Sequence, residues 1–182
     1  MYHMRVMERR DSVKSRDWSP FVACAEGARA AAPRSIDSPA GVGDRLRTAA
    51  FAELTAREAF RWAAEEFSDA PEALRDEWIR LVGEEDKHLG WLLGRMKELG
   101  VDPAGRPVST RLWEALMRCA GAREFETLIA QAEERGRLAG ESVKVKLEKS
   151  DPRTAEIFGR IAREESEHVA VAGTFFPPET SK

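Results

Sequence analysis

Glu85-Asp86-Lys87-His88 and Glu165-Ser166-Glu167-His168 are two copies of one motif, E-x-x-H, set 80 residues apart. A spacing of three puts each Glu and its His one helical turn apart and on the same side. Around the first copy, Trp78, Leu81, Val82, Leu89, Leu92 and Met96 recur at three- and four-residue intervals. Around the second, Phe158, Ile161, Ala162, Val169 and Ala172 do the same. Both motifs therefore lie on the apolar stripe of an amphipathic helix, not on its solvated side. A carboxylate and an imidazole aimed into a core are costly unless they are paired or bound to a metal.

One E-x-x-H alone says little, because Glu supplies 23 of the 182 residues and chance matches are cheap. Two more glutamates strengthen the pattern. Glu53 precedes Glu85 by 32 residues, and Glu133 precedes Glu165 by the same 32. Both fall on apolar stripes, the first running from Leu46 through Ala56 and Phe60, the second through Phe125, Leu128, Ile129 and Gly136. The chain reads as two helix hairpins, each carrying a Glu and then an E-x-x-H.

Punctuation along the chain agrees with four long helices. The first is expected from Asp44, as its cap, to just before Ser68; the second runs from Pro71 to a stop at Gly100. The third starts near Ala122, with Gly140 a candidate kink before Val143, Val145 and Leu147. The fourth starts at Asp151-Pro152, a cap followed by proline, and ends at Pro177-Pro178. A short helix over Thr110–Cys119, capped by Ser109, fills the connection between the halves. No strand-like alternation is visible. The fold class is all-α: a four-helix bundle with a short crossover helix over residues 44–176, preceded by an N-terminal arm, 1–43, and followed by a tail, 177–182. Within the arm, the Ala-rich stretch 21–32 is a candidate short helix.

Composition excludes several classes. Apolar residues are 42% and charged residues 34%, and no apolar run approaches the roughly 20 residues of a membrane span. No secretory leader is visible and the two cysteines, Cys24 and Cys119, form no C-x-x-C, so reduced, buried thiols in a cytoplasmic protein are expected. The arm to residue 47 is net +3 over a body of net −6, too little charge for a nucleic-acid signature, although a basic arm leaves RNA contact open.

Four glutamates and two histidines obeying one pattern match the dinuclear carboxylate site built inside helix bundles. The expected ligands are Glu53, Glu85, His88, Glu133, Glu165 and His168. Glu85 and Glu165 would bridge; Glu53 with His88, and Glu133 with His168, would be terminal. Four carboxylates offset two divalent ions, and oxygen and imidazole donors suit first-row metals, iron first and manganese second. Without metal, the crowded carboxylates should titrate high.

From about Leu46 to Phe176 the chain resembles a bacterial ferritin-like family of unknown function. The stretches that carry this are Glu53-Leu54-x-Ala56-x-Glu58, Glu84-Glu85-x-x-His88, Leu112-Trp113, Glu133-x-Arg135-Gly136 and Glu165-x-x-His168-Val169-Ala170. That family is distantly similar to tRNA-hydroxylating non-haem di-iron monooxygenases. The resemblance implies a di-iron carboxylate bundle with the same six ligands.

The remaining features have plainer readings. Glu84, Glu134 and Glu164 point about 100° from the ligands and are expected to be solvated or paired with Arg and Lys. Glu58 is an outside candidate for an acid behind the ligands. Arg57 and Arg137 read as flanking ion pairs. Gly136 and Gly140 read as close helix packing, with room for a substrate or O2 as the alternative. Trp62, Trp78 and Trp113 read as core, and Trp91, one turn from His88, as core or a shield for the site. The only tyrosine, Tyr2, is in the arm, which disfavours a tyrosyl-radical site.

The expected function is an oxidase or oxygenase that uses two metal ions to activate O2 against an unknown substrate. A separate electron donor is needed, since no flavin or iron–sulfur motif is present. A metal-oxidising or storage protein without organic substrate, and an inert interaction bundle, are the alternatives. A monomer or small oligomer is expected.

Overall fold

The computed structural model describes residues 16–176; Tyr2, His3 and the 177–182 tail lie outside the described residues. Among the described residues there are five α-helices: α1 Pro39–Glu66, α2 Glu72–Glu98, α3 Arg111–Leu116, α4 Ala122–Leu147 and α5 Pro152–Phe175. Among the described residues there is no strand, only one isolated bridge between Ala23 and Val108. The protein is all-α.

The helices end where local chemistry requires. Ser38 caps α1, its Oγ accepting from the Gly41 amide at 3.0 Å, and Pro39 occupies the first turn. The helix thus starts five residues before Asp44, the expected cap. Asp44 is instead buried inside the second turn, where it gathers arginines. Gly41 is needed in that first turn because a Cβ there would sit 1.7 Å from the Ser35 carbonyl oxygen. Gly100 follows α2 at φ +66°, the left-handed position that favours glycine at a helix stop. Asp151 caps α5 through the Thr154 amide at 3.1 Å, and Arg95 in the last turn of α2 reaches the same carboxylate at 2.8 Å. That joins the end of the first hairpin to the turn of the second.

Short connections, 67–71 and 148–151, make α1/α2 and α4/α5 antiparallel hairpins packed along their lengths. The hairpins meet with α1 against α4 and α2 against α5. The helix α4 runs unbroken through Gly140 to Leu147. Gly140 is buried against α5, where a Cβ would meet Ala162 and Phe158 at ordinary distances of 3.6–3.7 Å.

The connection 99–121 crosses from one hairpin to the other. Its helix α3 is shorter than expected, and it begins after Thr110 without a side-chain cap. Ser109 is not the cap, because its Oγ donates to the Ala28 carbonyl at 2.7 Å. The segment 21–32 is not helical. It lies along the crossover, paired through Cys24 N–H to Val108 O at 2.8 Å and Val108 N–H to Val22 O at 2.9 Å. Trp18 and Phe21 anchor it in an aromatic layer with Phe51 and Trp113, ring centroids 5.3–5.5 Å apart and edge-on. Cys119 is buried, whereas Cys24 is only partly so.

Candidate metal centre

Each long helix brings its stripe glutamate to one level of the interior. Glu53 comes from α1, Glu85 and His88 from α2, Glu133 from α4, Glu165 and His168 from α5. Donor atoms of Glu53, Glu85, His88 and Glu165 lie within 4.8 Å of one another, and so do those of Glu85, Glu133, Glu165 and His168. Glu85 and Glu165 belong to both groups; the other four belong to one each. Glu85, His88, Glu165 and His168 are all at least 97% buried.

The contacts within this cluster are short but misdirected as hydrogen bonds. His88 Nδ1 is 3.1 Å from Glu165 Oε1 and 3.3 Å from Glu53 Oε2. His168 Nδ1 is 2.9 Å from Glu85 Oε1 and 3.2 Å from Glu165 Oε2. Yet neither Nδ1, nor any carboxylate oxygen of Glu85 or Glu165, has a hydrogen-bond partner of acceptable angle. Leaving six buried polar atoms unmatched would be costly in a finished core. The donors are gathered in two groups without hydrogen-bonding one another. A buried Glu/His cluster of this kind can hold metal ions.

The other imidazole nitrogens are well matched. His88 Nε2 donates to Glu164 at 3.0 Å and His168 Nε2 to Glu84 at 2.7 Å. Each histidine is thus held by the residue that precedes the opposite helix's cluster glutamate. An ionised carboxylate accepts at Nε2, so when the imidazole is neutral its lone pair lies on Nδ1, toward the cluster. Glu84 also pairs with Arg80, and Glu164 with Lys87 and Arg160, as expected of outward glutamates. The imidazole contact was not expected. Its trace in the sequence is the Glu doublet itself, repeated at 84–85 and 164–165.

Protonation follows the crowding. Burial, with the charges of Glu53 and Glu165, pushes Glu85 well above the carboxylate range. Burial and the charges of Glu165 and Glu85 do the same to Glu133. Burial opposes charge on the imidazoles, but carboxylates around them win and raise both to about 9. Burial also works against charge on Glu165, but the His168 and His88 imidazoles close beside it hold it ionised and low. Without metal, protons take the place of cations in the cluster.

The flanking residues divide as follows. Arg57 pairs with Glu58 and Asp86, and Arg137 with Glu134 and Glu141, so both are in ion pairs. Glu58 turns to Arg16, Arg57 and Arg61 and takes no part in the cluster. Trp91 packs 5.4 Å from His88, with Arg160 at 4.0 Å and Lys87 at 5.4 Å over its ring. Gly136 does not serve helix packing, since a Cβ there would have nothing within 4 Å. It lines a cavity of about 70 Å³ between α1, α4 and α5, whose walls include Glu53, Glu133 and Glu165.

Compared with known families, residues 9–178 match the model of a family described as "Protein of unknown function (DUF455)". The chain belongs to that family. No curated protein and no solved structure matches it. The family's description assigns no chemistry, so the functional reading rests on the cluster.

Proposed function

We propose that the protein is a ferritin-like four-helix-bundle oxidoreductase that holds two divalent first-row metal ions, iron first and manganese as the alternative. The observation that carries this is the set of six unpartnered, buried donor atoms on Glu85, Glu165, His88 and His168. Their chemistry fits the metals: hard carboxylate oxygens and neutral imidazoles, four negative charges against two dications. Glu85 and Glu165, which belong to both donor groups, would bridge; Glu53 with His88 would serve one ion, and Glu133 with His168 the other. Such a pair, when bound, supplies reduction of O2 coupled to oxidation of a substrate.

The chain's own residues set the conditions for that chemistry. Glu164 and Glu84 hold the Nε2 protons, so each imidazole keeps its Nδ1 lone pair toward the ions. The cavity beside Gly136 offers a way to Glu53 and Glu133 from the α1/α4 side. Trp91 and its two cations cover the opposite side at His88. Electrons come from a separate donor.

Anomalous diffraction at the iron and manganese edges tests the reading on crystals of protein loaded without air. Two peaks among the six side chains are expected, and their edges identify the metals. No peak after loading with either metal refutes the proposal. Two peaks with Fe²⁺ oxidation but no organic turnover would favour metal oxidation as the activity.

A further inference from the structure

A second cavity, of about 190 Å³, adjoins the small one over the cluster. Ala52 and Leu112 line both, so the two adjoin along a path that is open on the side of the exposed Ala52. The outer cavity is roofed by the segment 30–33 and walled by the first half of α1 and the crossover. Its inner wall is apolar, with Phe51, Val108 and Leu112. Its outer end is ionic. Asp44 lies there, and three guanidinium groups converge on its single carboxylate: Arg34, Arg47 and Arg106. Arg47 is only 6% exposed, and beyond Asp44 it meets just the backbone carbonyl of Asp102. Within the cavity wall, buried Arg47 and part-exposed Arg106 face the one carboxylate of Asp44, so that end keeps an excess of positive charge.

Asp44 and Glu53 lie nine residues apart on one helix, about 13 Å along its axis. The ionic end and the cluster are thus opposite ends of one path. We propose that the two cavities form a channel for an amphiphilic acid, a molecule with an apolar body and one anionic head. Arg106 and Arg47 hold the head, and the body passes Ala52 and Leu112 toward Glu53 and Glu133. Ala52 borders the path where the two cavities adjoin. The ligand's body, not its head, meets the reacting site. What happens at the inner end rests on the di-metal reading, whereas binding in the channel does not.

The test uses the full chain without metal and straight-chain probes: butanoate, octanoate and octanol. Calorimetric titration should find one octanoate per chain, bound roughly tenfold or more tighter than either other probe. Arg106→Gln should weaken octanoate and leave octanol unchanged. Ala52→Leu, at an exposed helical site where folding is not at stake, should weaken octanoate and spare butanoate. Octanoate no tighter than octanol, or indifference to both substitutions, overturns the proposal. A second measurement reads orientation in protein loaded with Mn²⁺, whose unpaired electrons broaden nearby probe protons. The octanoate methyl should broaden more than the methylene next to the carboxylate; the reverse order means that the head seeks the metal and overturns the channel. If Mn²⁺ is not taken up, the di-metal reading fails while the metal-free titration still decides the channel.

Discussion

Glu85 and Glu165 are the two glutamates that belong to both donor groups of the cluster. Both are buried with both oxygens unmatched. Replacing Glu85 by Ala removes a carboxylate whose charge burial and the neighbouring Glu53 and Glu165 already oppose. Melts of Glu85→Ala should show a metal-free midpoint within roughly 4 °C of the parent or above it. The rise on adding Fe²⁺ or Mn²⁺ should shrink sharply, because the ions stabilise only the form that binds them. A much lower metal-free midpoint with no metal response in either protein would make these residues structural pairs. Glu84 and Glu164 act at one remove. Glu84→Gln and Glu164→Gln keep an acceptor for the imidazole but lose its charge, and metal affinity should fall about 10–100-fold. Competition with a chelator of known affinity measures it, and an unchanged affinity would show that the two carboxylates serve only their lysine and arginine partners.

Between helices, Glu126 of α4 is 1% exposed and accepts from Trp78 Nε1 of α2 at 2.7 Å. Burial raises it from 4.5 to about 7, against the pull of that hydrogen bond. In the unfolded chain it loses its proton near 4.5, so between these values the folded state holds more protons. Stability from this residue is therefore highest below 4.5, falls as pH rises toward 7, and is level above. The loss is about 3 kcal/mol. Glu126→Gln keeps the bond to Trp78 and cannot ionise. Urea unfolding of the two proteins should diverge by that amount between about pH 5 and pH 8, the variant being the more stable at the higher pH. Asp44 holds a different junction, tying α1 to the segment before it and to the crossover through Arg34 and Arg106. Asp44→Ala strands the buried Arg47, and the cost should be about 3–5 kcal/mol. Limited proteolysis should then cut within 28–36 faster than in the parent; equal rates would show that Trp18 and Phe21 alone hold the segment.

Across the molecule, the aromatic layer and the carboxylate cluster divide the interior between them. Trp18, Phe51, Trp62, Phe67, Trp78, Trp113 and Phe125 interlock edge-on or tilted at centroid distances of 5.1–6.4 Å. This layer is dry packing and supplies stability without metal. The cluster can then be left frustrated until ions arrive. The residues outside the long helices cover α1 and α4 surfaces that would otherwise be open to copies of the chain. Sedimentation should give a monomer or small oligomer, with about two metal ions per chain. A large closed shell would contradict that picture. No described helix is long and apolar enough to cross a membrane.

The four long helices and the level at which their glutamates meet were legible in the sequence, because periodicity along one chain is a local property. Glu53, Glu85, Glu133 and Glu165 sit on apolar stripes whose spacing is set by helix geometry alone, and residues 32 and 80 apart land at one height when hairpins close. Pro152 after Asp151, and Gly100 after α2, marked their ends for the same local reason. Other features were settled only by what came to lie beside them. Asp44 looked like a cap, but three arginines from separate segments made it a junction inside the helix. The segment 21–32 is rich in Ala, yet it forms no helix, because Trp18, Phe21 and the backbone of Val108 hold it against the crossover. Glu84 and Glu164 sit on the outward edge of their own helices. Only the crossing of α2 and α5 turns them onto the opposite histidines, a contact between residues 76 and 84 positions apart that no local pattern encodes.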